Sequence, residues 1–208
     1  MADRALGLIG LGHMGGPMAE RLAAAGHRVV GFDASPAGRE DAAARGIEVL
    51  SGAEEVGRAA QVVILMLPNS DIVESVAAQL VAIPAAERAV TVVVDMSSSE
   101  PERTRALAVR LAEAGIELVD APVSGGVVGA VGGTLTIMVG GSVAQFDDLA
   151  DVLGVLGSRV VRAGDVGAGH AVKALNNLMS AAHLMVSDEA AIAATEPALQ
   201  REPPRIMK

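Results

Sequence analysis

The chain has no cysteine, no tryptophan and no tyrosine, and only two phenylalanines among its 208 residues. Without cysteine there is no disulfide framework and no zinc or iron site held by thiolates. Long hydrophobic runs are missing too. The apolar stretches 62–68 and 90–94 fall far short of the ~20 residues a membrane helix needs. Asp3 and Arg4 lead into a glycine-punctuated strand pattern, not into an uninterrupted apolar stretch with a cleavage site, so no targeting segment is read. Positive charge is scarce. Lys+Arg number 16 against 25 Asp+Glu, for a net charge of −9, and no basic run offsets it. Such a surface repels phosphate backbones. The expectation is a soluble, cytoplasmic protein with no nucleic-acid partner, no membrane partner and no metal.

What is present points to a packed α/β domain. Hydrophobic residues make up 51% of the chain and glycine contributes 24 residues, with a mean hydropathy of +0.44, which excludes disorder. Short β-branched runs at 4–9, 28–32, 61–67, 90–95, 117–119, 135–139 and 159–162 alternate with Ala-rich helical patterns. The helical patterns cover 14–25, 37–45, 53–59, 72–81, 102–114 and 143–156, and one long helix covers 171–195. Strand–helix alternation at this spacing predicts a doubly wound, mostly parallel sheet. The strands are continuously apolar, as suits a sheet covered on both faces. Gly26, Gly46 and Gly115 follow helical runs where a left-handed cap is wanted. Pro101 suits a helix first turn, with Ser99 as its cap. The proline-broken segment after Glu196 is poorly suited to packing.

Gly10-Leu11-Gly12-His13-Met14-Gly15 fits G-x-G-x-x-G between the first strand and the first helix. Gly10 permits the tight turn and Gly12 lets backbone approach a pyrophosphate. Gly15 lets the helix lie close to the sheet, with its positive N-terminus facing the phosphates. The predicted class is therefore Rossmann-type α/β with one long helix after it. Asp33, at the end of the second strand, is placed to accept from the ribose hydroxyls and to repel a 2′-phosphate. This favours NAD, and Arg39, which can reach round to a phosphate, leaves NADP open. His13 reads as a solvated or ribose-contacting residue, and His27, His170 and His183 as structural or exposed.

A second set of polar residues falls at carboxyl ends of strands, where such a sheet places its ligand. It comprises Leu67-Pro68-Asn69, Asp95 to Ser99, and Asp120 to Gly126, in which Ser124, Gly125 and Gly126 offer a hydroxyl and open backbone to a carboxylate. Each of these segments also reads as an ordinary loop. Lys173 is the only lysine besides Lys208 and sits in an apolar helical stretch. A desolvated lysine can exchange a proton near neutral pH, as arginine cannot. Asn177 shares its helix face and Asn176 flanks it. The alternative is a lysine that snorkels to solvent.

Four motifs in order resemble the β-hydroxyacid dehydrogenase family, which includes 3-hydroxyisobutyrate dehydrogenase and tartronate semialdehyde reductase. They are Gly10-Leu-Gly-His-Met-Gly-Gly-Pro-Met-Ala19, Asp95-Met-Ser-Ser-Ser-Glu-Pro101, Asp120-Ala-Pro-Val-Ser-Gly-Gly126 and Gly167-x-Gly-x-x-x-Lys173-x-x-Asn-Asn177. The resemblance runs from about Ala5 to about Ala194. It implies hydride transfer between NAD(P) and the hydroxyl-bearing carbon of a small β-hydroxy acid. It implies Lys173 as general acid/base, supported by Asn177, with Ser124, Gly125, Gly126 and Asn176 on the substrate. It also implies Gly10 to Gly15, Asp33, Leu67, Pro68 and Ser98 on the cofactor, Ser98 being at the nicotinamide end.

Family members continue after the long helix into an all-helical domain, whereas this chain ends at Lys208. The division expected is a nucleotide-binding domain over 1–163, with the long helix and a truncated start of the helical domain over 164–208. One face of that helix, with Leu175, Leu178, Met179, Met185 and Ile192, is left short of partners and predicts a homo-oligomer. The alternatives are a catalytically weak or inactive NAD-binding module, and an enzyme completed by a second chain.

Overall fold

The computed structural model describes residues 4–194, and the side chains of 4–189. The strands are β1 (Leu6–Ile9), β2 (Val29–Phe32), β3 (Glu48–Val49), β4 (Val62–Leu65), β5 (Val92–Asp95), β6 (Glu117–Asp120), β7 (Val123–Ser124), β8 (Leu135–Gly140) and β9 (Gly157–Gly164). The helices are α1 (Gly15–Ala24), α2 (Pro36–Ala44), α3 (Ala53–Ala59), α4 (Ser70–Ala82), α5 (Pro101–Glu113), α6 (Gly126–Gly132), α7 (Val143–Asp148), α8 (Ala150–Leu156) and α9 (Ala168–Ala194).

Strand order is β3-β2-β1-β4-β5-β6-β8-β7, with β9 pairing β8. From β3 to β6 every pairing is parallel, β8 joins β6 and β7 antiparallel, and β9 runs parallel to β8. This is the expected mostly parallel, doubly wound sheet. The period of two along a strand explains its two covered faces. In β4, Val62 and Ile64 join one core with Leu8, Met18, Leu22, Ile137 and Leu153, while Val63 and Leu65 join the other with Val56, Leu80 and Leu111. All four β4 residues are buried.

Four local expectations change. Residues 143–156 form two helices, not one. Helix α7 ends and α8 begins around the buried Leu149; α7 sets only the half-buried Phe146 against the core, whereas α8 buries Val152, Leu153 and Leu156. Ser99 does not cap α5. Its hydroxyl donates to Asp95 Oδ2 at 2.7 Å, and Glu100 takes the cap position. Asn69 is a helix cap, accepting from the Ile72 N–H at 3.1 Å. The two-residue strands β3 and β7 and the glycine-rich α6 carry too few residues for a periodic signal. The left-handed positions at Gly26, Gly46 and Gly115 are as expected, with φ of 93°, 84° and 75°.

Two compact units are present, Met1–Lys173 and Ala174–Lys208. The sequence reading drew its division at 163/164. In the second unit, the described side chains 174–189 are exposed apart from the half-buried Asn176. Ile192 and the segment after Glu196 lie outside the described side chains. Among the described residues no helix is long and apolar enough to cross a membrane.

Candidate active site

The carboxyl ends of β1, β2, β4, β5 and β6 share one edge of the sheet, because these strands are parallel. The loops leaving that edge carry most of the residues singled out in the sequence.

The glycine turn leaves β1. Gly10 has φ +98°, and a Cβ on it would meet the Met66 carbonyl. A Cβ on Gly15 would meet the Gly10 carbonyl oxygen and come within 2.9 Å of Leu8. These two glycines are required by internal packing. Gly12 is different, since a Cβ there meets nothing within 4 Å and no unusual φ calls for glycine. Gly12 and His13 are exposed, while Leu11 is buried and Met14 half-buried. The space above Gly12 opens onto a cavity of about 520 Å³ lined by Leu11, Gly12, His13, Asp33, Ser35, Gly38, Arg45 and Val127 among others. A glycine with no internal reason, at a helix start beside an open cavity, fits a dinucleotide whose phosphates approach the backbone.

Asp33 stands at the rim of this cavity, just after β2. Its Oδ2 accepts from the Leu11 N–H at 2.6 Å and its Oδ1 from the Ser35 N–H at 2.7 Å. It therefore fastens the glycine turn as well as presenting negative charge, a double role that sequence spacing did not reveal. Arg39 turns away from the phosphate role considered for it. Its guanidinium donates to the carbonyls of Asp33 and Ala34 at 2.7 and 3.0 Å. The arginine that lines the cavity is Arg45, paired with Glu20 and Asp41 at 2.8 and 2.9 Å.

Further along the edge, the three serines after β5 separate. Ser97 and Ser99 are buried and Ser98 is exposed. Ser97 accepts from the Leu67 N–H at 3.0 Å, and its own N–H donates to Asp95 Oδ1 at 3.0 Å. Of the three, Ser98 alone faces outward. Leu67 is half-buried and Pro68 exposed. Ser124 is half-buried, and the exposed Gly125 and Gly126 after it have φ of +131° and +59°, conformations that side chains rarely adopt.

The start of α9 is held by Asp120, the last residue of β6. Its Oδ1 accepts from the Gly167 N–H at 2.6 Å and its Oδ2 from the His170 N–H at 2.8 Å. A helix leaves its first N–H groups without intrahelical partners, and here a buried carboxylate from 50 residues away supplies them. Charged hydrogen bonds of this kind contribute about 1.5–3 kcal/mol each. Burial pushes the Asp120 carboxyl up from its ordinary value, against the Gly167 and His170 N–H donors, which pull it down. A Cβ on Gly169 would meet the Met138 carbonyl and come within 2.8 Å of Asp120 Oδ2, so glycine is what lets α9 start this close to the sheet. His170 is wholly buried. Its Nδ1 meets the Thr104 hydroxyl at 2.9 Å and its Nε2 the Ser97 carbonyl at 3.1 Å, with Asp95 at 3.8 Å and Asp120 at 3.7 Å. It is a packed histidine, as expected, but one flanked by two carboxylates that no sequence spacing announced.

Lys173 follows one turn later and is half-buried. Burial alone lowers its pKa below the ordinary 10.5, the direction that proton transfer near neutrality requires. Asn176 and Asn177 follow on α9 in the second unit, half-buried and exposed respectively. A cavity of similar size, about 530 Å³, lies at the opposite edge around Arg4, Gln61, Glu117 and Asp148. There Arg4 and Asp148 are already paired through two hydrogen bonds at 2.6 and 2.7 Å.

Residues 5–164 match the family model described as the NAD binding domain of 6-phosphogluconate dehydrogenase. The chain is 42% identical to 2-(hydroxymethyl)glutarate dehydrogenase of Eubacterium barkeri, over 95% of its own length and 65% of that protein's. It is 36% identical to the mitochondrial 3-hydroxyisobutyrate dehydrogenase of Drosophila melanogaster, over 89% of its length and 56% of that protein's. The solved 3-hydroxyisobutyrate dehydrogenase of Mycobacterium tuberculosis with L-serine superposes at a TM-score of 0.87, with 36% identity, covering 94% of this chain and 66% of that one. This chain thus spans somewhat under two thirds of the relatives it matches. It carries their nicotinamide-dinucleotide-binding domain and belongs to the β-hydroxyacid dehydrogenase family, built on the NAD binding domain of 6-phosphogluconate dehydrogenase.

Proposed function

We propose that the chain carries out NAD-dependent hydride transfer at the hydroxyl-bearing carbon of a small β-hydroxy acid, of the 3-hydroxyisobutyrate or tartronate semialdehyde/glycerate kind, with Lys173 as general acid/base. The observation that carries this reading is Lys173 itself. It is half-buried, its pKa is lowered by burial, and it stands one turn into a helix fastened to the sheet edge where the glycine turn opens. The L-serine of the M. tuberculosis relative is a small acid with a β-hydroxyl, and supports the substrate class.

Bound NAD supplies the hydride acceptor. In the oxidation, neutral Lys173 takes the substrate hydroxyl proton at Nζ as the carbon gives up its hydride, and the hydroxyl becomes a carbonyl. In the reduction, the Lys173 ammonium returns that proton to the developing alkoxide. Ser124 and the open backbone at Gly125 and Gly126 hold the substrate carboxylate, and Asn176 is a further substrate-binding residue. Asn177, one turn beyond Lys173, donates to the reacting oxygen and keeps the lysine in register. Gly10, Leu11, Gly12, His13, Met14 and Gly15 form the pyrophosphate turn, and Leu67, Pro68 and Ser98 line the nicotinamide side. The Asp33 carboxylate accepts from the ribose hydroxyls and repels a 2′-phosphate, so NAD is preferred over NADP. Self-association through the apolar side chains of α9 in the second unit, 61–70% exposed at Leu175, Leu178, Met179, Leu184, Met185 and Val186, gives a homo-oligomer.

The test is the appearance of reduced nicotinamide absorbance with purified chain, offering NAD and NADP separately against a panel of small β-hydroxy acids. Turnover with NAD that vanishes in Lys173→Ala is the expected result. Tight NADH binding with no turnover on any acid would overturn the catalytic part and leave a nucleotide-binding module.

A further inference from the structure

We propose that His170 is a positioning residue for Lys173. It locks the first turn of α9 to the ends of β5 and β6, and so holds the lysine in its half-buried place. The inference rests on the reading of Lys173 as the acid/base.

The argument begins with hydrogen-bond accounting. The Ser97 carbonyl can only accept, so the ring hydrogen at Nε2 belongs to the bond at 3.1 Å. Nδ1 lies 2.9 Å from the Thr104 hydroxyl of α5. The backbone N–H of the same residue donates to Asp120 at the end of β6. His170 therefore joins three elements, the β5 loop, α5 and the β6 end, through one buried residue, and its partners lie 50 to 73 positions away in sequence. The groups facing the ring are Asp95 from β5, Asp120 from β6 and Thr104 from α5.

None of these groups is free to reorient. Asp95 is held by the Ser97 N–H and the Ser99 hydroxyl, and Asp120 by the Gly167 N–H besides that of His170. Carboxylates buried this deeply are stable only when hydrogen-bonded or paired. The imidazole fills the space between them and gives each a polar neighbour. Lys173 lies three positions along the same helix, one turn away, so a rotation or fraying of the first turn carries the lysine with it. The Ser97 link also ties this turn to the loop bearing Ser98, which makes one buried histidine common to the lysine helix and the nicotinamide-side loop.

The test uses the scarcity of lysine. Reductive ¹³C-methylation of the full chain labels only Lys173, Lys208 and the terminal amine, so the Lys173 resonance can be titrated without any catalytic assay. In His170→Leu, the loosened turn exposes Lys173 and its midpoint moves up toward the ordinary 10.5. In His170→Gln, whose amide can still donate to the Ser97 carbonyl, the midpoint stays at the wild-type value. In the catalysed reaction, His170→Leu lowers kcat about 10- to 100-fold, and His170→Gln recovers most of the rate. A lysine midpoint in His170→Leu equal to wild type, or a Gln variant as damaged as the Leu variant, overturns the proposal. Should His170→Leu fail to fold, Thr104→Val removes one bond from the ring, together with the bond of the Thr104 hydroxyl to the Glu100 carbonyl within α5. It is expected to move the lysine midpoint upward by less, and no movement overturns the proposal. Because the titration needs no turnover, a wild-type chain without activity would refute the catalytic reading of Lys173 and still leave the positioning of its side chain measurable.

Discussion

The two mouths of the sheet edge are built in opposite ways. At the nucleotide end the groups proposed to meet the cofactor are exposed backbone and a half-buried carboxylate, and their geometry comes from glycines within six residues of one another, helped by Asp33. At the lysine end, the start of the helix that carries the proposed acid/base is fastened by buried polar residues, Asp95, Ser97, Thr104, Asp120 and His170, which come from different elements. The first mouth is a local turn that tolerates change wherever the space is open. The second is a closed hydrogen-bond network, where each group removed leaves another buried without a partner.

Breaking the lysine mouth gives the largest effect. Lys173→Ala is expected to lower turnover by about 10²- to 10⁴-fold, while NADH binding, measured by fluorescence, stays as in the wild-type chain. At the nucleotide mouth, the contrast between two glycines sharpens the comparison. Gly15→Val drives a side chain into the Gly10 carbonyl and should cost at least about 1–3 kcal/mol of stability, seen as a lowered Tm. Gly12→Val meets nothing in the protein. It should melt like the wild-type chain yet bind NADH at least about tenfold more weakly, the loss of about 1.4 kcal/mol of affinity.

Asp33→Asn comes next. It removes the negative charge facing a 2′-phosphate and weakens the clamp on the Leu11 N–H, so the ratio of NAD to NADP affinity should fall about tenfold. The pH dependence of turnover follows from the lowered pKa of Lys173. With Lys173 as the acid/base, oxidation is expected to rise with pH to a plateau as the amine becomes neutral and reduction to fall as the ammonium is lost, both limbs with a midpoint below 10.5. Arg39→Ala should have the smallest effect. Its guanidinium serves two carbonyls and no ligand space, so NADH affinity should change by less than about threefold, within 1 kcal/mol.

The nucleotide mouth was legible in the sequence because each of its requirements is local. A tight turn needs Gly10, a close helix needs Gly15, and the spacing to Asp33 is one strand–helix–strand unit. The strands were legible for the same reason, since a sheet covered on both faces demands continuous apolar runs such as Val62–Leu65. The lysine mouth was legible only in part. Lys173 stood out because lysine is nearly absent, but His170 was read only as structural or exposed, and Asp95, Ser99 and Asp120 were read as members of loops. Ser99 was taken for a helix cap because capping is the local use of a serine before proline. The buried carboxylate of Asp95 outcompeted it, an interaction that no local rule contains.

By itself the sequence determined the longer strands and most of the helices, their alternation, the glycine turn and the identity of the one internal lysine. Propensity, periodicity and turn chemistry act over a few residues and are written directly in their order. Tertiary structure alone decided which of three serines faces outward, which of two glycines is open to a ligand, that Arg39 folds back while Arg45 lines the cavity, and that Asp120 and His170 fasten the lysine helix. Each of these depends on groups from distant parts of the chain meeting in a dry interior. There, an unpaired polar atom is costly and the pairing that satisfies all of them is the one adopted.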